Sequence, residues 1–93
     1  MADVVQNIEQ NRFEIRIDGA VVGCSMYQLF GNSIIFTHTV IEADRQEHGL
    51  GGELVQGALD QIRSTTTLRV VAQCPFVAHW ISTHPDCQDL LSR

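Results

Sequence analysis

Three places in the chain carry residue types that could do chemistry. The first is the loop Gln46-Glu47-His48-Gly49-Leu50-Gly51-Gly52. Glycines there let the backbone approach a ligand closely. Helical periodicity starts at Leu50, so the loop leads into a helix whose first N–H groups lack intrahelical acceptors. Such a helix start suits a phosphate or pyrophosphate. The loop is not a P-loop, because Gly-Lys-Ser/Thr is absent. It is not the dinucleotide fingerprint, because the strand before it belongs to a meander. The plain alternative is a glycine-rich turn with no ligand.

The second place is Gln73-Cys74-Pro75-Phe76. Pro75 suits the first position of a helix, which sets Cys74 at the N-cap. A thiol there faces the positive end of the helix, a setting that suits a reactive cysteine. The alternative is a small buried cysteine of the core. The third is His38. Strand alternation predicts one face shared by Ile34, Phe36, His38 and Val40. His38 is then either a satisfied, partly buried residue or an acid/base group near the strand's end, where the glycine loop begins.

A metal reading of Cys74, His79, His84 and Cys87 fails on spacing. C-x4-H-x4-H-x2-C does not match the paired-ligand zinc forms. His79 and His84 stand five apart and do not share a helical face. No metal is expected. Trp80 and Phe76 read as core.

The elements that must position these residues follow from period. Phe13, Ile15 and Ile17 alternate with Glu14 and Arg16, a half-buried strand. Asp18-Gly19 is a two-residue hairpin turn. Ala20 to Phe30 reads as a second strand, with Gly23 marking a bulge. Gly31-Asn32 turns the chain into a third strand, Ser33 to Ile41. Leu50, Leu54, Val55, Ala58, Leu59 and Ile62 then form a helical stripe, ended by Ser64 to Thr67. Leu68 to Ala72 returns as a strand beside the third one, a βαβ crossover. A helix follows Pro75, and His84-Pro85 breaks it. The fold class is α+β: an antiparallel meander, a crossover and a C-terminal helix, built on a mixed sheet.

Composition sets the limits. The 93 residues make one small domain, and 44% hydrophobic content excludes a disordered chain. Net charge is −5, and all six basic residues are arginine, so no nucleic-acid patch can be assembled. No apolar run nears the ~18 residues of a membrane span. The polar start, Met1 to Asn11, argues against a secretory signal, so the expected home is cytoplasmic. Three cysteines with no C-x-x-C read as free thiols. The exposed edge of the first strand could support a homodimer.

These features together resemble the GCN5-related N-acetyltransferase (GNAT) superfamily. Gln46-x-x-Gly49-x-Gly51 matches its acetyl-CoA pyrophosphate motif, Q/R-x-x-G-x-G/A. His38-Thr39-Val40-Ile41, Cys74-Pro75-Phe76 and His84-Pro85-Asp86-Cys87 resemble the minimal single-domain branch, the YjdJ-like and N-acetyltransferase-domain-containing-protein-1-like group. The likeness spans about Phe13 to Leu91. The chain departs from the branch pattern at Val40, Glu47, Ala72 and Cys87.

The resemblance implies a single acetyl-CoA-binding domain over 1–93 and transfer of acetyl to an unidentified amine. It implies that pantetheine lies between the strands 33–41 and 68–72, held by backbone of Thr39, Val40 and Ile41. Pyrophosphate would meet Gln46, Glu47, His48, Gly49, Leu50, Gly51 and Gly52. Cys74 would act as general acid or as acetyl-accepting nucleophile, with His38 beside it. Tyr27 lies where the tyrosine acid of larger relatives is not expected. A second reading is a non-catalytic CoA or acyl-CoA binding module acting through a partner. A third is a small interaction or zinc protein with no CoA site.

Overall fold

A computed structural model describes residues 2–93, apart from the side chains of Glu47 and His48. Five strands form one sheet in the order β1-β2-β3-β4-β5. They are β1 (Ala2–Asn7), β2 (Arg12–Ile17), β3 (Ala20–Phe30), β4 (Ser33–Ile41) and β5 (Arg69–Ala72). The first four pair antiparallel, and β5 runs parallel to β4. Two α-helices follow β4 and β5 respectively: α1 (Leu50–Thr65) and α2 (Pro75–Ser82). Short 3-10 segments cover Ile8–Gln10, Ala43–His48 and Pro85–Ser92.

The turns match their residues. Asp18 and Gly19 both hold positive φ, 51° and 82°, as a tight hairpin between β2 and β3 requires. Helix α1 ends at Thr66, whose hydroxyl donates to the Ile62 carbonyl at 2.8 Å. The predicted stripe on α1 is the buried one: Leu50, Leu54, Val55, Ala58, Leu59 and Ile62. It packs on Phe13, Ile15, Val22, Tyr27, Ile34 and Phe36 of the sheet. Val77 and Ile81 of α2 and Cys87 and Leu90 of the last segment join the same core. Burying each large side chain contributes roughly 1.5–3 kcal/mol.

Both helices therefore lie on one face of the sheet. The opposite face carries no helix among the described residues. On it, in β2, sits Glu14, buried beneath Arg12 and Arg16.

Strand β1 is an addition to the expected three-stranded meander. Its polar residues hid it: only Ala2, Val4 and Val5 are apolar, which is too little alternation to register. Its pairing Val4↔Ile15 puts Val4 on the helix side, against Gly57 of α1. Gln61 Nε2 donates to the Val4 carbonyl at 2.7 Å, so the helix occupies part of the free β1 edge.

The larger correction concerns β4. Pairing with β3 runs Tyr27↔Phe36 and then Met26↔His38, which leaves Thr37 as an extra residue. This β-bulge shifts the alternation by one. Ile34 and Phe36 face the helices as expected, but beyond the bulge Thr39 and Ile41 take that side. His38 is exposed and Val40 is 54% exposed, so neither shares the buried face of Ile34 and Phe36. The bulge predicted around Gly23 is present too. Ile15↔Gly23 and Arg16↔Val21 leave Val22 as the extra residue.

Candidate functional site

The parallel pairing of β4 with β5 covers only Ser33–Phe36 against Arg69–Ala72. Pairing with β3 continues to Ile41. The N–H groups of Gln73 and Cys74 both donate to the Phe36 carbonyl, at 3.0 and 2.9 Å. That fork is where the chain leaves the sheet. Past it, Thr37–Ile41 have no strand partner on the β5 side among the described residues, an edge able to pair with an extended, amide-bearing ligand.

A groove of about 340 Å³ lies beside this edge, lined by Thr39, Ile41, Gln46, Gly49, Gly51, Gly52 and Phe76. Six of the predicted cofactor-binding residues thus meet around one cavity: Thr39, Ile41, Gln46, Gly49, Gly51 and Gly52. Gln46 Nε2 donates to the Ile41 carbonyl at 3.1 Å and ties the loop to the end of β4. Gly49 stands at the N-cap of α1 with φ 68°, a left-handed conformation that glycine adopts without strain. No side chain caps this helix, so the Leu50, Gly51 and Gly52 amides begin it with their donors free of a capping group. Leu50 itself is buried, and Val40 points to the other face. Only the backbone of either is available to a ligand. Glu47 and His48 belong to the 3-10 segment, and their side chains lie outside the described ones.

The glycines have a second role that spacing did not reveal. A Cβ on Gly51 would stand 2.8 Å from Phe76 Cζ, and one on Gly52 would stand 2.5 Å from Trp80 Cζ3. Phe76 is therefore not a core residue, whereas Trp80 packs half-buried against the edge of the core. Phe76 is 43% exposed and forms a wall of the groove. Trp80 is half-buried and stacks on His84, with centroids 3.7 Å apart.

Cys74 is the N-cap of α2, with Pro75 at the start of the helix. It is 3% exposed. Its Sγ–H donates to Thr39 Oγ1 at 3.5 Å. Thr39 Oγ1 lies 3.0 Å from Ser25 Oγ. Ser25 is fully buried and directly opposite Thr39 on β3. The side chains of Ser25 and Thr39 were missed by the sequence reading, which used only the Thr39 backbone. The missed signal was the unanchored polar run Thr37-His38-Thr39, where strand phase can slip unseen.

The remaining sequence candidates separate. His38 is on the opposite face from Cys74. Tyr27 is 3% exposed, and its hydroxyl accepts from Gln6 Nε2 at 2.9 Å. Cys87 is buried, and that burial pushes its thiol up, which makes it inert. His84 Nδ1 lies 2.7 Å from the Trp80 carbonyl and closes the end of α2. His79 is exposed.

A family profile for GCN5-related N-acetyl-transferase matches residues 12–90. The chain belongs to that family. A comparison with curated proteins finds no match. The GNAT match spans β2 to the C-terminal segment and so contains the strand edge, the glycine loop and Cys74. It supports acyltransferase function in general terms.

Two other features of this GNAT domain compete for notice. A larger, shallower depression of about 670 Å³ lies over the outer face of α1, between Val4 and Trp80, with Glu53 and Asp60 in it. It shares only Gly52 with the smaller groove and holds no nucleophile, so the smaller groove is the candidate site. The strongest electrostatic effect is at Glu14. Hydrogen bonds from Arg16, Asn7 and Arg12 hold its carboxyl down at about 2. That cluster ties the end of β1 to β2. No described helix is long and apolar enough to cross a membrane.

Proposed function

We propose that this chain is an acetyl-CoA-dependent N-acetyltransferase of the minimal single-domain branch, acting on a small or peptidic amine. The observation that carries the reading is the groove beside the open β4 edge, with Thr39 lining it and Cys74 bonded to Thr39. The residues fit such a cofactor. A narrow groove with an unpaired strand edge suits the amide-bearing pantetheine arm. The uncapped start of α1, opened by glycines, suits a pyrophosphate.

When bound, acetyl-CoA supplies an acetyl group activated as a thioester. The backbone of Thr39 to Ile41 orients the arm by strand-like hydrogen bonds. The amides of Leu50, Gly51 and Gly52 hold negative charge, and Gln46 keeps the loop against β4. The Phe76 ring closes one wall and limits water. Cys74 holds the proton needed by the departing thiolate. Its burial favours this acid role over attack by its own sulfur, since an acetyl group on Sγ would need room that the packed site does not offer. His38, exposed at the same stretch of β4, receives the proton of the attacking amine from the opposite face.

The test is thermal unfolding with acetyl-CoA, paired with an assay of thiol release over a panel of amines. Stabilisation of about 2.7 kcal/mol is expected at a hundredfold excess over Kd. Absence of any shift at millimolar acetyl-CoA sinks the reading. A shift without turnover on any amine favours a CoA-binding module that works through a partner.

A further inference from the structure

Cys74 does not line the groove, but Thr39 does, and Thr39 Oγ1 is the hydrogen-bond partner of Cys74 Sγ. Behind Thr39 stands Ser25, buried, with its Oγ 3.0 Å from Thr39 Oγ1. Ser25 has no other side-chain partner among the described residues. Three groups that can each pass a proton thus meet at one oxygen. We propose that Ser25, Thr39 and Cys74 form a proton relay in which the Thr39 hydroxyl, not the Cys74 thiol, meets the leaving sulfur. This rests on the acetyltransferase reading above.

The proton balance is simple. Thr39 gives its hydroxyl proton to the departing thiolate, so one O–H bond breaks and one S–H bond forms. Cys74 gives its thiol proton to Thr39 Oγ1, so a second S–H bond breaks and the threonine O–H is restored. The concerted exchange matters, because an alcohol alone is far too weak an acid to release a proton to a thiolate. Cys74 is left as thiolate and regains a proton from solvent, while the proton that the acceptor amine loses leaves through His38. Ser25 is a positioning residue. It fixes the Thr39 rotor, so that the single threonine proton points along the relay rather than away from it.

The placement depends on the bulge. Thr37 shifts the strand phase so that Thr39, rather than His38, meets the N-terminus of α2. Extra residues of this kind re-aim side chains next to active sites.

The experiment uses the full chain without acetyl-CoA first. Iodoacetamide labelling of Cys74 is followed by peptide mass spectrometry, with half-buried Cys24 as the reference and buried Cys87 as the reporter of unfolding. Thr39→Val should slow Cys74 relative to Cys24 by about tenfold, the worth of one hydrogen bond to a charged sulfur. Thr39→Ser should restore the rate, and Ser25→Ala should give a smaller loss. With acetyl-CoA and amine, Thr39→Val should lower kcat by about a hundredfold, at the low end for one acid–base group. KM for acetyl-CoA should stay close to its starting value. Unchanged labelling in Thr39→Val, or failure of Thr39→Ser to restore it, overturns the relay. Absence of turnover in the unaltered chain counts instead against the acetyltransferase reading, while labelling still decides whether the hydroxyls govern the thiol.

Discussion

A Cβ placed on Gly52 would stand 2.5 Å from Cζ3 of Trp80. The first turn of α1 can therefore approach α2 only because position 52 has no side chain. The same glycine lines the candidate groove, so close helix packing and ligand access rest on one residue. Gly52→Ala should cost about 1–3 kcal/mol through overpacking, read from urea denaturation. It should also reduce the thermal shift with acetyl-CoA, because Gly52 itself lines the groove.

Gly49 offers a contrast. Nothing lies within 4 Å of a Cβ built there, yet its φ is 68°. The cost of Gly49→Ala is conformational alone, about 1–2 kcal/mol. Gly49→Asn should cost less than Gly49→Ala, since asparagine visits the left-handed region more readily. Equal losses in the two variants would count against this account.

Glu14 makes stability depend on pH. Its carboxyl falls from 4.5 to about 2 on folding, through hydrogen bonds from Arg16 first and from Asn7 and Arg12 besides. A depressed carboxylate stabilises the fold fully above the unfolded value, and that contribution is lost as pH falls through the folded one. Urea midpoints should therefore decline from about pH 4.5 toward pH 2. Glu14→Gln should lower stability near neutral pH by about 1–3 kcal/mol and flatten the decline.

His38 tests the surface-base proposal. Its side chain is exposed, so His38→Ala should change stability by no more than about 0.5 kcal/mol. Turnover should nevertheless fall by about a hundredfold if it takes the amine proton. Full activity in a folded His38→Ala chain would remove it from the site.

Tyr27→Phe separates this chain from relatives that use a tyrosine acid. The Tyr27 hydroxyl is buried and accepts from Gln6. Losing that bond should cost about 1 kcal/mol of stability and leave acetyl transfer unchanged. A large drop in kcat with normal stability would return the acid role to Tyr27.

Much of the fold was legible along the chain. The strands 20–30 and 33–41 were bounded by turns whose residues demand them, Asp18-Gly19 and Gly31-Asn32. Helix α1 was visible because six apolar residues recur at helical spacing and all six are buried. The groove's glycines and Gln46 were legible too, since a helix start after a glycine loop has unpaired donors whatever surrounds it. Strand β1 was not, because it is held by pairing to β2 and by Gln61 rather than by an apolar pattern of its own. Phe76 was not legible as a groove wall, because hydrophobicity does not say which helix end an aromatic ring will cover.

Local patterning in this chain determined the elements, their order and the residue types at each end of the groove. Those depend on backbone preference and apolar period, which are properties of neighbours in sequence. Which side chains meet at the groove was decided in three dimensions. One unpaired residue, Thr37, changes the face of every residue after it in β4, and an extra residue is defined only by the strand opposite. Hence Thr39, and not His38, comes to lie 3.5 Å from Cys74.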